Sequence, residues 1–595
     1  MKVARKTIQG LALIVCAILA VSMGGWTLSK YWNSKPVAAT KPSTTDPLLP
    51  ASPVVRPPAP PEGYVGSIAC ASCHEDLCKS FAQHPMGRSS ALTPGPADME
   101  DYSKADFAGA DGTRYKAEKV GGKVLHHEIG TDANGRTLYD LSVPVTLALG
   151  SGTRGKAYAV NRAGILLQSP ISWYSAKGGY FELSPGYENA ATNPRFSRRM
   201  IEECLVCHIG RMAFDPEVPD KLISPYFHEI AIGCERCHGP GERHVAAQQM
   251  QKTSSPDSTI VNPARLPMRE RESICNQCHL HGEFRGLRYG RLPRDFRPGM
   301  NLDDIFCVLV KDVTTQGESK AVSQVEQMRE SACFKGSEGK LGCASCHNPH
   351  EWPEPQKHDE YYRARCNECH ANHGCSLTSQ KRQEKGDSCI TCHMPRTTPK
   401  DIVHASQTDH RVRAVSTLEP QTGEVATELG VQVYDGGDQR LPPWEVQRAK
   451  GMMMASGKSP ADPQQMLDLL FPLAEKVPDD VPILTAIATV YLNRKDYEQA
   501  KKWLDKAIAF EPQNGQLQYK LAVVCWGARD LDSAKKYIAA AVKIDPFSAA
   551  SFELQAKILE AAGDHEQALR AADKVVELDP SKMAFREQLL KSSGR

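Results

Sequence analysis

Three textures of hydrophobic and polar residues divide the chain. Behind Lys2, Arg5 and Lys6, an almost unbroken apolar run extends from Leu11 to Leu28. About 18 apolar or small residues just reach across a bilayer, and Trp26, Tyr31 and Trp32 stand where an interfacial aromatic belt would lie. An uncleaved anchor over residues 1–32 is expected, with a signal peptide cleaved near Ala20 or Ser22 as the alternative. Both place the remainder outside the cytoplasm. At the other end, from about 445, the composition shifts to Ala, Leu, Lys, Glu and Gln. DYEQA (496–500), DLDSA (530–534) and DHEQA (564–568) recur every 34 residues, as do Pro512, Pro546 and Pro580, with Pro478 on the same grid. That is the period of tetratricopeptide (TPR) repeats. It predicts an all-α superhelix over 448–595, whose first repeat (about 448–478) is degenerate. Ala500, Ala534 and Ala568 are the small residues that let paired helices approach. Tyr491, Leu504, Leu521 and Ile538 fill the apolar positions between helices. A plain helical bundle has no reason to keep so strict a period. Such a stack presents a concave face to proteins, so this unit reads as a docking module.

The long middle shows no sustained period. Most of the 41 prolines and 44 glycines precede residue 460, which predicts a loop-rich body. Residues 33–62 are rich in Pro, Ala and Ser and read as an extended linker; residues 413–447 read as a second one. Length alone, 595 residues, suggests two to four folded units. A formal net charge of +2, with both signs interspersed, gives no reason to expect a nucleic-acid partner.

Cysteine spacing changes the picture most. Fourteen of the 20 cysteines fall in seven Cys-x-x-Cys-His pentapeptides. These are Cys70/Cys73/His74, Cys204/Cys207/His208, Cys234/Cys237/His238, Cys275/Cys278/His279, Cys343/Cys346/His347, Cys366/Cys369/His370 and Cys389/Cys392/His393. Chance would supply on the order of 0.02 copies. Structural zinc takes two such knuckles per ion, leaving one over, and needs no histidine after each second cysteine. A disulfide framework explains that histidine no better. The c-type haem motif explains every position: two thiols add to the vinyl groups of one haem, and the adjacent histidine is the proximal iron ligand. Seven covalent haems are expected. Of the remaining cysteines, Cys78, Cys307, Cys333 and Cys375 lie in this body and permit two disulfides, with Cys333–Cys375 the expected pair.

Sixth ligands must come from elsewhere. His350 ends CHNPH, His244 ends CHGPGERH, and His404 and His410 follow the last motif. Pro and Gly between paired histidines stop the helix and free the second to point elsewhere. After the first motif, His84 or Met86 is the candidate. His228, His281, His358 and His373 carry weaker claims, and His126, His127 and His565 weaker still. His238 and His244 are only six residues apart, yet wrapping His244 round to its own haem's far face would strain a chain spanning at most ~21 Å. The two histidines are therefore expected to serve different irons.

AIGCERCHGPGERH (231–244), CNQCHLHGEFRGLRYGR (275–291), FRPGM (296–300), QVEQMRESACF (324–334), LGCASCHNPH (341–350) and DSCITCHMPR with DIVHASQTDHRV (387–412) resemble one family. It is the cytochrome c-554 / hydroxylamine oxidoreductase-like group of multihaem cytochromes c, in the version carrying tetratricopeptide repeats. The resemblance spans roughly 63–412, and LGSGTRGKAYAV and ISWYSAKGGYFELSPGYE resemble that group's strand-rich insert. It implies a mainly α, loop-rich seven-haem body with a β-rich insert at about 100–195, haems packed in close pairs, and second histidines lent to neighbouring haems. Two departures lower the weight of catalysis: no Cys-x-x-Cys-Lys occurs, and the motifs number seven rather than eight. The expected function is a membrane-tethered, periplasm-facing heptahaem electron relay that meets redox partner proteins, with the repeats docking a protein. The alternative is an oxidoreductase acting on a small nitrogen or sulfur compound at a five-coordinate haem.

Overall fold

The computed structural model describes residues 63–592, apart from 96–98, 190–191, 252–256, 312–319, 321, 372–374, 398–406, 414–429 and 458–461. The expected anchor, the Pro-rich linker, His373 and His404 lie outside the described residues. Among those described, no helix is long and apolar enough to cross a membrane. The described residues all belong to one compact unit.

The fold is mixed. Nine strands build two antiparallel sheets: β1 (Ser90–Leu92), β2 (Asp106–Ala108), β3 (Arg114–Val120), β4 (Lys123–Thr131), β5 (Thr137–Val145), β6 (Leu147–Leu149), β7 (Gly155–Arg162), β8 (Ile165–Tyr174) and β9 (Tyr180–Leu183). One sheet has the order β2-β3-β4-β5 and the other β1-β6-β7-β8-β9. Strand β8 is buried on both faces, because its two sides serve different clusters. Ile165, Leu167 and Ile171 pack with Tyr115, Val143 and Tyr158, whereas Leu166 packs with Leu205, Ile209 and Leu222. This alternation is the period-2 rule at work. It seats the helix Glu202–Leu205, and with it the second Cys-x-x-Cys-His motif, against the sheet.

Short helices and turns carry the other motifs. Where a linker is expected over 413–447, the described residues 430–447 are structured. Val431 and Val433 pair with Lys311 and Leu309 in a small sheet with Phe284–Leu287. A helix follows over Pro443–Ala455, with Pro443 in its first turn, where a missing N–H does no harm. Cys307, Leu309, Val433, Leu441, Ala449 and Met453 share one core, so apolar burial ties this stretch to the body.

The helices Val481–Asn493, Gly515–Gly527 and Ala549–Ala561 start 34 residues apart, as do their partners Tyr497–Phe510, Leu531–Ile544 and His565–Leu578. The recurring Asp496, Asp530 and Asp564 are N-caps, each accepting a backbone N–H three residues on. Ala500, Ala534 and Ala568 are fully buried, Leu504, Leu521 and Ile538 nearly so, and Tyr491 half-buried. The repeat unit touches the body at both ends. At its start, the buried Arg448 pairs with Asp480 and donates to the Leu287 carbonyl at 2.6 Å. At its end, Arg195 pairs with Asp579 at 2.6 Å, and Arg162 lies over the Phe547 ring at 5.6 Å.

Candidate functional site

Each pentapeptide lies on or at the end of a helical turn: Ser67–Ala71, Glu202–Leu205, Glu235–His238, Met268–His279, Cys343–Cys346, His358–His370 and Cys389–His393. One turn puts residues i, i+3 and i+4 on the same face, so both thiols and the imidazole address one side. After His238, Gly239 takes φ 74°, a left-handed conformation that ends the helix. A new helix, Glu242–Gln249, then carries His244 away in another direction.

The histidines meet across motifs rather than within them. The ring of His74 lies 6.3 Å from that of His244, His238 lies 5.8 Å from His350, and His347 lies 6.4 Å from His410, all between centroids. The first two pairs are near-parallel, at 17° and 13°. His238 and His244 thus face different partners. Two imidazoles bound to opposite sides of one metal, at about 2 Å each, have centroids about 6 Å apart. Three of the six Nδ1 atoms are engaged by carbonyl or carboxylate groups. His238 bonds through Nδ1 to the Val261 carbonyl (2.9 Å), His244 to Asp257 (2.7 Å) and His410 to the Thr408 carbonyl (2.8 Å). An Nδ1–H held in this way leaves Nε2 with its lone pair for a metal. The Thr259 hydroxyl and amide, with His244, hold the Asp257 carboxyl well below the usual carboxylate range. Burial lowers His347 to about 4 and, with Arg88, His84 to about 4, so both imidazoles are neutral.

One continuous cavity of about 3780 Å³ runs through the body, lined by residues of all seven motifs. Every predicted attachment cysteine except Cys392 contributes, as do the seven adjacent histidines, His84, Met86, His244, His350 and His410. Shared among seven motifs, this is about 540 Å³ each, inside the roughly 300–1,000 Å³ of a pocket for one organic ligand. Folded interiors pack at organic-crystal density, so a cavity this large is a built feature. Arg236, Arg271 and Arg285 also line it, and the buried Nε of each lacks a hydrogen-bond partner. Such donors suit a ligand bearing carboxylates.

Neighbouring motifs approach through their thiols. Cys70 lies near Cys234, Cys207 near Cys278, Cys275 near Cys343, and Cys366 near Cys389. Cys237 also lies beside Cys275, and Cys346 beside Cys369. The motifs therefore run in the order first, third, fourth, fifth, sixth, seventh, with the second joined at the fourth. Burial pushes the thiols of Cys70 and Cys237 up to about 12. The expected Cys333–Cys375 pair does not form. Cys333 lies beside Cys346 and Cys369, Cys375 lies near Cys389, and all the described cysteines are free.

Other candidates separate clearly. His281 and His358 line the cavity, but His358 Nε2 is bound to the Pro353 carbonyl at 2.8 Å. His126 and His127 lie in the sheets, and they, His228 and His565 stand outside the cavity. His84 lies near His279, and its Nδ1 accepts the Met86 N–H at 3.1 Å. Among the described residues, no second histidine ring stands opposite His208, His370 or His393 in the manner of the three pairs. Asp257 and the three arginines carry no sequence signal, since each becomes relevant only through folding. No group of three or more His, Cys, Asp or Glu among the described residues could hold a bare metal ion. An iron held by a porphyrin needs only one or two protein ligands.

The tetratricopeptide-repeat family profile matches residues 491–558, so this part of the chain carries that repeat. A multiheme cytochrome MtrA of Shewanella baltica (strain OS185) is 21% identical over 225 residues, covering 36% of this chain and 59% of that protein. The chain thus spans well under two thirds of that relative. Among solved structures, a MamA crystal structure is 14% identical over 26% of this chain and 92% of its own, at a TM-score of 0.21. MamA 41-end from Desulfovibrio magneticus RS-1 is 21% identical over 24% and 78%, at 0.22.

Proposed function

We propose that the chain is a seven-haem c-type cytochrome that relays electrons, membrane-tethered and facing the periplasm, with its tetratricopeptide repeats docking a protein partner. The observation that carries this reading is the set of three imidazole pairs, each joining residues from different motifs across one shared cavity. The likeness to a multihaem cytochrome and the sequence resemblance to the cytochrome c-554 / hydroxylamine oxidoreductase-like group point the same way.

On this reading the fourteen motif cysteines attach the haems and the seven adjacent histidines are proximal ligands. His244, His350 and His410 are the second ligands opposite His74, His238 and His347, and His84 is the candidate opposite His279. His404 remains a candidate for one of the last two motifs. When bound, each haem supplies a one-electron iron couple whose potential follows its axial ligands and burial. The chain's own work is to orient the imidazoles through their Nδ1 bonds, to offer guanidinium groups to the carboxylates, and to keep water from the cavity. The proximity of cysteines from neighbouring motifs orders the centres into a branched line, which suits relay better than a single reaction site.

The second reading, catalysis at a five-coordinate haem on a small nitrogen or sulfur compound, draws on His208, which faces no second histidine among the described residues. Intact-mass spectrometry and electron paramagnetic resonance of the purified oxidised protein test both. Relay predicts seven covalent haems and wholly low-spin iron, a persistent high-spin centre would shift the assignment to catalysis, and a chain without covalent haem would end both readings. His244→Ala and His350→Ala should each turn one low-spin centre high-spin without losing haem. An unchanged spectrum would remove that histidine from the ligand set.

A further inference from the structure

The first and third motifs are 164 residues apart in sequence, yet the His74 ring lies 6.3 Å from that of His244, at 17°. One side chain makes three of the bonds that hold them. Glu235, the second residue of CERCH, is only 4% exposed. Its Oε1 accepts the backbone N–H of Val65 (2.9 Å) and of Gly241 (2.8 Å), and its Oε2 accepts that of Gly66 (2.8 Å). A single carboxylate thus binds the loop leading into the first motif and the Gly-Pro-Gly turn leading to His244. The space is tight: a Cβ on Gly241 would meet Val65 Cγ2 at 3.1 Å and Glu235 Oε1 at 3.3 Å. A second tie runs alongside, with Ser67 Oγ accepting the Cys234 N–H at 3.0 Å.

We infer that Glu235 is a positioning residue that sets His74 opposite His244. The inference rests on the proposed ligand role of these two histidines. The carboxylate touches neither imidazole. It acts by satisfying three amide donors from two chain segments, which are also joined where the Glu242 N–H donates to the Gly63 carbonyl at 2.9 Å and the Ser67 N–H to Glu229 at 3.1 Å. Removing it leaves the buried Gly241 N–H and the half-buried N–H groups of Val65 and Gly66 without this acceptor, which favours separation of the segments. The two oxygens of a carboxylate offer about four lone-pair sites, enough for three donors.

The test uses the full-length holoprotein. Glu235→Ala should retain all covalent haem but convert one low-spin centre to high-spin, and added imidazole should restore the low-spin signal. The double variant with His244→Ala should be spectrally the same as His244→Ala alone, because both act on one centre. A wild-type spectrum for Glu235→Ala, or a further high-spin centre in the double variant, would overturn the inference. If Glu235→Ala fails to accumulate, Glu235→Gln, with one acceptor oxygen instead of two, carries the test. It should show a partial high-spin fraction at that centre, and an unchanged spectrum would again refute the role. If the wild type carries no haem, the ligand reading has failed, and limited proteolysis of 63–81 reads the strap alone. Protection in the wild type that is lost in Glu235→Ala would support it, and equal cleavage would end it.

Discussion

Neighbours, rather than residue type, decide what each histidine does. His126 is wholly buried, with Nδ1 2.7 Å from Ser169 Oγ, its ring edge-on to Tyr158, and Nε2 without a partner. Burial, helped by His127, lowers it to about 3. Its folded value lies below the unfolded one, so its contribution to stability is present above pH 6.5 and is lost as pH falls toward 3. In the limit the shift is worth roughly 5 kcal/mol. His126→Leu should lose about 1 kcal/mol at pH 7 with the Ser169 bond, yet lose less than the parent between pH 7 and 4.5. Denaturant titrations at both values measure this, and equal losses in the two proteins would contradict it. His238 and His244 differ from His126 because each sits beside Pro or Gly and a haem motif, which is legible in sequence. Their partners His350 and His74 are not legible, because they come together only through folding.

At the scale of elements, the 34-residue period carries over into the helices from Val481–Asn493 to His565–Leu578, where the Asp N-caps and buried Ala of Tyr497–Phe510, Leu531–Ile544 and His565–Leu578 recur with it, whereas the helix Pro443–Ala455 starts ahead of the expected boundary at 448. One position in the turn within each repeat breaks the pattern. Lys495 and Arg529 adopt φ 60° and 63°, left-handed values that Gly563 takes freely at 79°. A side chain in that region costs on the order of 1 kcal/mol. Lys495→Gly and Arg529→Gly should therefore each stabilise the repeats by about 0.5–1 kcal/mol, seen as a higher denaturation midpoint. A lower midpoint would mean that the side chains contribute contacts outweighing the strain. The strand Val431–Val433 escaped the sequence reading for a physical reason. Three residues carry too little alternation to register, and their pairing partner lies about 120 residues earlier.

For the whole molecule, the repeats are built into the body. Ala449 and Met453 complete a core with Cys307, Leu309 and Val433, and Arg195 joins Glu128 of β4 (3.0 Å) to Asp579 of the last repeat. Deleting 445–595 should expose that core and destabilise the body by several kcal/mol, lowering its thermal midpoint and its yield. Ending the chain at Pro512 keeps the shared core and the Arg448–Asp480 pair, and should cost far less. Equal midpoints for the two truncations would show that the shared core contributes little. The sequence by itself determined which residues form the Cys-x-x-Cys-His motifs and the helical repeat, because both are written in local spacing: i, i+3, i+4 for the motifs and 34 for the repeats. Tertiary structure alone decided which histidine faces which, the branched order of the motifs, and the anchoring of the repeats at both ends. Those depend on contacts between residues tens to hundreds of positions apart, such as Glu235 with Val65 and Arg195 with Asp579, and no local pattern encodes them.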